Sequence, residues 1–327
     1  MASPLNFPPH FPSFTEWMVV QKKAGGGNIR RWPEGQVAPG NLNPMPSRDE
    51  KPLTKNSATT PRAQSSRQRP DGPSIQARLA ARETPGTPSL IFQTWQDLLF
   101  LHWALPPTDL QPFLPPGLKV DTHQGKAWLG IVPFFMRGIR PRFLPSVPGL
   151  SNFLELNVRT YVYDRSGTPG VWFFSLDANN TPAVTLGRSL FHLAYRRAKM
   201  DASVGDWIDY SAQRPGEPLQ ASYRYRSAGP CRLAEPGSLE FFLLERYVLF
   251  AQANPTAPLY RGRVHHRPYQ IQDVELEKFS SCPLQWNRLD SPVGPPHHSC
   301  FSRRAKVSVH PLERLRGQSE IPNPPTT

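Results

Sequence analysis

The chain has 327 residues, with 38 Lys and Arg against 25 Asp and Glu, a formal net charge of +13, and 40 Pro beside 22 Gly. Its three cysteines, Cys231, Cys282 and Cys300, are too few and too widely spaced for a disulfide framework and point to a reducing cytoplasm. The longest apolar stretch, Leu239 to Ala251, is broken by Glu245 and Arg246 and falls short of the ~20 residues that cross a bilayer, so no membrane partner is expected.

In chain order, residues 1–88 are rich in Pro, Ser, Arg, Gln and Gly, as in Asn56 to Pro70 (NSATTPRAQSSRQRP). Such a segment buries too little surface to offset an ordering entropy of roughly 1 to 2 kcal/mol per residue, and it reads as a disordered tail. Phe11 to Val20 (FPSFTEWMVV) reads as an isolated apolar patch within it. Arg30 and Arg31 precede Trp32 and Pro33 rather than an apolar run, which argues against export. The basic residues fall in scattered pairs (Lys22 and Lys23, Arg196 and Arg197, Arg303 and Arg304) without a groove-binding motif, so no dedicated nucleic-acid partner is expected.

From Ser89 short apolar alternations separated by Pro and Gly turns predict a single mostly β domain over 89–315, with 316–327 as a second disordered tail. Leu99, Leu101, Trp103 and Leu105 share one strand face, and Pro106 and Pro107 end that strand. Thr108 to Leu114 reads as a helical turn, and Leu118 to Phe134 as a β-hairpin closed through Gly125. Strands follow over Phe153 to Tyr163 and Gly170 to Asp177. A helix begins with Thr181 as N-cap and Pro182 at its first position, with Ala183, Leu186, Leu190 and Leu193 at helical spacing. Ser238 caps a second helix reaching Tyr247, and alternation resumes over Tyr260 to Gln272 and Arg304 to Val309.

Five spaced segments carry a resemblance: WQDLLFLHW (Trp95 to Trp103), LPPGLKVD (Leu114 to Asp121), ELNVRTYV (Glu155 to Val162), FFSLD (Phe173 to Asp177) and LEFFLLERY (Leu239 to Tyr247). In that order they resemble the YqjF-like family of uncharacterised proteins, domain of unknown function 2071, within the acetoacetate decarboxylase-like superfamily. The resemblance implies a closed, cone-shaped antiparallel β barrel of the acetoacetate decarboxylase-like type with a central cavity and a few short helices, an α+β chain in class. It also directs attention to a lysine that the decarboxylases use to form a Schiff base. Where that segment falls here, Gly187 to Ala198 (GRSLFHLAYRRA), Gly187 and Arg188 are kept, but Tyr195 and Arg196 stand at the lysine positions. Arginine stays protonated, so the chain is expected not to be a Schiff-base decarboxylase.

Period-two alternation puts Glu155, Asn157, Arg159 and Tyr161 on one strand face and Leu156, Val158, Thr160 and Val162 on the other. The polar row either meets solvent or, in a barrel, lines the cavity; the superfamily carries an active-site glutamate in this strand. The candidate catalytic residues are therefore Glu155, as acid or base, and Tyr195, as donor to an oxyanion, with Asn157, Arg159, Arg188, His192 and Arg196 as ligand-binding groups. His265 and His266 point to opposite faces, and Cys282, His297, His298 and Cys300 lack paired ligand spacing, so no metal and no other cofactor is expected. The functional expectation is a cytoplasmic protein that binds a small anionic or carbonyl-bearing molecule, with lyase or hydrolase chemistry open. The alternative is a non-catalytic interaction module whose interior is filled by its own aromatic side chains and whose basic tail recruits a partner. Sequence leaves the oligomeric state open.

Overall fold

The structure is a computed structural model and describes Gly72–Leu315. The expected tails over 1–71 and 316–327, with the Phe11 to Val20 patch and the Arg30 and Arg31 pair, lie outside the described residues. In chain order the first half holds helix α1 (Ile75–Ala80), strand β1 (Ile91–Leu105), the short helix α2 (Pro107–Leu110) with a following 3-10 turn, β2 (Leu118–Val120), β3 (Ala127–Pro141), β4 (Phe153–Asp164), β5 (Pro169–Ala178) and helix α3 (Thr181–Phe191). The second half holds β6 (Tyr195–Arg197), β7 (Lys199–Val204), β8 (Ile208–Gln213), β9 (Ala221–Arg232), α4 (Leu239–Leu244), β10 (Val248–Ala251), β11 (Tyr260–His265), β12 (Ile271–Lys278), α5 (Cys282–Gln285), β13 (His298–Val309) and β14 (Glu313–Arg314).

The fold is mostly β with a few short helices. Hydrogen-bonded neighbours run β14-β11-β10-β5-β4-β3-β1-β13-β12-β9-β8-β7; β2 pairs with β4, β6 with β5, and β11 makes a second contact with β13. β6 and β10 both lie parallel to β5, which corrects the expectation of a wholly antiparallel sheet. For β6 the reason is local: α3 connects it to β5, and a strand–helix–strand crossover returns the chain in the same direction.

Several local expectations shift. β2 pairs with β4 (Val120 opposite Val162) rather than closing a hairpin on β3, and only an isolated bridge between His123 and Lys126 surrounds the Gly125 turn. Asn180, not Thr181, caps α3: its Oδ1 accepts from the Ala183 N–H at 2.9 Å. Ser238 caps α4 as expected, but that helix ends at Leu244 so that β10 can start at Val248. Tyr260 to Gln272 is interrupted between β11 and β12, across Pro268, which has no N–H for a ladder. Part of the stretch assigned to the tail is also ordered. Helix α1 is capped by Ser74, and Arg78 reaches from it into the interior to a buried ion pair with Asp121, 2.7 Å away.

Two apolar clusters occupy the two faces of the central strands. Leu99, Leu101, Trp103, Leu129, Ile131, Leu156 and Val158 form one; Leu98, Phe100, Val132, Phe134, Met136, Phe153 and Tyr161 belong to the other. Two bulges set which residues reach the second face. Between Gln96 and Leu101, β1 has one residue more than its partner segment Phe135 to Ile131, and the insertion carries Asp97 at φ 51°. Between Val158 and Arg159, β5 carries the extra residue, moving from Ser175 to Phe173. Each bulge reverses the parity of its strand, so Trp95 and Leu98, and likewise Phe173 and Leu176, line the same pocket.

Candidate functional site

That pocket has a volume of about 130 Å³ and an apolar wall that includes Trp95, Phe134, Phe153, Phe173, Leu186 and Leu244. Its charged groups and their close polar partners come from three places. β4 contributes Glu155, Asn157 and Arg159, only 3, 6 and 8 % exposed, so the polar row faces inward rather than to solvent. Tyr195 enters from the start of β6 and Arg246 from the link between α4 and β10.

Glu155 and Tyr195 form one polar end. Tyr195 Oη donates to Glu155 Oε2 at 2.9 Å. Burial raises the Glu155 carboxyl from 4.5 to about 8; Tyr195 opposes that shift and Asp177 adds to it. Glu155 is thus largely protonated near neutrality and is itself a hydrogen-bond donor. Burial and the adjacent Glu155 push the Tyr195 hydroxyl well above the ordinary phenol range. Gly187 makes this contact fit: a Cβ built there would run into the Tyr195 ring, so helix α3 packs against that ring only because residue 187 has no side chain.

Arg159 and Arg246 form the other end. Their guanidinium carbons sit 5.6 and 5.0 Å from the centre of the Tyr161 ring. Arg159 Nη2 donates weakly to the Leu243 carbonyl at 3.4 Å, while its Nε has no partner. Arg246 Nε donates to the Phe242 carbonyl at 2.6 Å and Nη1 to Asp121 Oδ2 at 2.8 Å, leaving Nη2 without a partner. Burial lowers Arg246 to about 10, with Asp121 working against the shift. Asp121 is shared with Arg78, and the neighbouring Glu245 accepts from the Tyr269 N–H and faces Arg82 at 3.7 Å. Among the described residues no carboxylate pairs with Arg159, so this end carries excess positive charge in a buried setting. The Tyr161 ring beneath is fixed by its hydroxyl, which hydrogen-bonds His102 Nε2 at 2.8 Å; His102 Nδ1 in turn meets His298 Nδ1 at 3.0 Å. Burial, His298 and Arg159 hold His102 well below the usual imidazole range.

Of the residues singled out from sequence, Glu155, Asn157, Arg159 and Tyr195 come together here. Arg188, His192 and Arg196, expected as ligand-binding groups, do not line this pocket. Arg188 is exposed on α3, one residue past the inward-facing Gly187 and so turned by roughly 100° about the helix axis. His192 ends α3 in the left-handed conformation and packs against the Tyr260 ring, centroids 4.7 Å apart. Arg196 is exposed. Arg246, Trp95 and Tyr269 were missed. For Arg246 a signal existed, since a charged residue inside an otherwise apolar run must find a buried partner. No lysine is among the lining residues, and among the described residues no cluster of His, Cys, Asp and Glu is arranged to hold a metal.

At the level of the fold, the chain is similar to several solved structures. The enduracididine biosynthesis enzyme MppR complexed with pyruvate aligns with TM-score 0.50 and 14% identity over 71% of this chain and 92% of that one. An acetoacetate decarboxylase-like enzyme from Sphingomonas wittichii RW1 gives 0.51 and 13% over 70% and 94%. An acetoacetate decarboxylase gives 0.50 and 15% over 71% and 92%. In sequence, the uncharacterized protein YqjF of Bacillus subtilis (strain 168) is 41% identical over 187 residues, which are 57% of this chain and 76% of that protein. The family described as uncharacterized conserved protein, domain of unknown function 2071, matches residues 92–306, most of the ordered strands and both ends of the pocket, and the chain belongs to that family.

Proposed function

We propose that this chain binds a small organic carboxylate in the pocket between Arg159, Arg246 and Glu155. The observation that carries this reading is the buried Arg159 guanidinium, which has no carboxylate partner and an unused Nε, beside an unused Arg246 Nη2. A desolvated cation without a counter-charge is costly, and a ligand carboxylate supplies what the fold withholds. The ring of paired strands β11, β10, β5, β4, β3, β1 and β13, joined again by the β11–β13 contact, supports a barrel around this space. The volume of about 130 Å³ left open by the aromatic walls favours a ligand over a self-filled interior. The structural neighbour MppR is complexed with pyruvate, itself a small carboxylate.

Chemically, neutral Glu155 held by Tyr195 can donate a proton to a carbonyl oxygen, consistent with lyase or hydrolase chemistry. With no lysine in the lining, the reading involves no Schiff base. The free thiols of Cys231, Cys282 and Cys300 fit a cytoplasmic setting, and no helix among the described residues is long and apolar enough to cross a membrane.

Calorimetric titration of the full chain with straight-chain carboxylates, acetate to octanoate, and with the matching neutral amides tests the reading. Carboxylates should bind roughly ten- to a hundredfold more tightly than amides, the worth of a charged hydrogen bond, and Arg159→Met should erase that preference. Equal binding of acids and amides, or binding of neither, overturns it.

A further inference from the structure

The pocket has two polar ends of different chemistry. Glu155 and Arg159 are four residues apart on one strand face, so their Cα atoms stand ~13 Å from each other at ~3.3 Å per residue. Their side chains are held by different partners. The Arg159 guanidinium leans over Phe100 and Tyr161, at 5.5 and 5.6 Å, whereas Glu155 is held by Tyr195. The two ends therefore cannot both touch a carboxylate and a carbonyl carried on adjacent carbons.

The Glu155 end offers donors to a neutral acceptor. The protonated carboxyl is one. Trp95 is another: it lines the pocket, packs edge-on against Phe134 at 6.1 Å, and Phe134 is the cross-strand partner of Glu155. Trp95 Nε1 is buried with no partner. An indole N–H can only donate, so it calls for a hydrogen-bond acceptor. Between the ends the wall is apolar, through Leu98, Val132, Phe173 and Leu176, with Asn157 Oδ1 as an unpaired polar atom.

Resting on the carboxylate reading above, we propose that the ligand is an oxo acid whose carbonyl stands several carbons from its carboxylate. The carboxylate meets Arg159 and Arg246, the methylenes cross the apolar wall, and the carbonyl oxygen accepts from Glu155 and Trp95 Nε1. A 2-oxo acid, with its two polar groups adjacent, satisfies only one end.

Positional isomers isolate this claim, because 2-oxohexanoate, 4-oxohexanoate and 5-oxohexanoate share charge, mass and apolar content. Calorimetric titration of the full chain should place 5-oxohexanoate about five- to a hundredfold tighter than 2-oxohexanoate, the worth of two neutral hydrogen bonds, with plain hexanoate no tighter than 2-oxohexanoate. Trp95→Phe, which keeps an aromatic ring and removes only the donor, and Glu155→Leu should each narrow the ratio, and the double variant should bring it to about one. Equal affinities across the isomers, or a preference for 2-oxohexanoate, overturn the proposal while leaving the carboxylate reading intact. Failure of every isomer to bind defeats both.

Discussion

Two buried polar clusters flank strand β5, and they are finished differently. On one side Asp177, fully buried, accepts from Arg214 Nε and Nη2, each at 2.8 Å, and from Ser175 Oγ at 3.0 Å. Arg214 Nη1 donates to the Trp286 carbonyl at 2.7 Å, and Asn287 closes the network on Ser175. On the pocket side, Arg159 Nε, Arg246 Nη2, Asn157 Oδ1 and Trp95 Nε1 are left without partners. A completed network holds strands and loops together; the incomplete one, beside an open volume, is the one that the proposed carboxylate ligand would complete. The two clusters should therefore respond to substitution in opposite ways.

Among the substitutions the largest effect belongs to the completed cluster. Asp177→Ala strands the Arg214 guanidinium and should cost about 3 to 5 kcal/mol in urea unfolding, the range for a broken buried pair. Next comes the seat of Tyr195. Alanine normally favours a helix over glycine by ~1 kcal/mol, but at Gly187 its Cβ meets the Tyr195 ring, so Gly187→Ala should instead destabilise by about 1 to 3 kcal/mol, a change of sign that urea midpoints detect.

Glu155 should make itself visible through pH. Its folded value of about 8 lies above the ordinary 4.5, so between those values the folded chain keeps a proton that the unfolded chain releases. Stability should fall as pH rises through that window, by up to about 1.4 kcal/mol per pH unit, and level off above it. Glu155→Gln should flatten the slope, measured as the urea midpoint at successive pH values. Smallest of all should be Arg159→Met, which replaces an unpaired buried cation with a side chain of similar length. Stability should hold within ~1 kcal/mol or rise, while the selectivity for carboxylates disappears. A loss as large as that of Asp177→Ala would mean that Arg159 is structural after all.

The order in which these residues could be read follows from the range of the interactions that place them. Glu155, Asn157 and Arg159 share a face because side-chain alternation along a strand is local, and five spaced segments sufficed to indicate the family. The choice between solvent and interior for that face was not local. It depended on the neighbours that cover it, among them Trp95 and Phe173, whose direction is set by bulges that leave no periodic trace in sequence. Arg188 was expected among the ligand-binding groups, yet the rotation of α3 about its axis is decided by the packing of Gly187 on Tyr195, and that rotation turns Arg188 outward.

The amino-acid sequence by itself determined the mostly β architecture, the helix at Ser238 and which β4 residues share a face. Tertiary structure alone decided that α1 belongs to the fold through Arg78 and Asp121, that Arg246 stands beside Arg159, and that both keep an unused donor. The physical reason is distance along the chain: Arg78, Asp121, Arg159 and Arg246 meet only after strands far apart in sequence have paired, and the burial that gives each charge its meaning exists only in the assembled sheet.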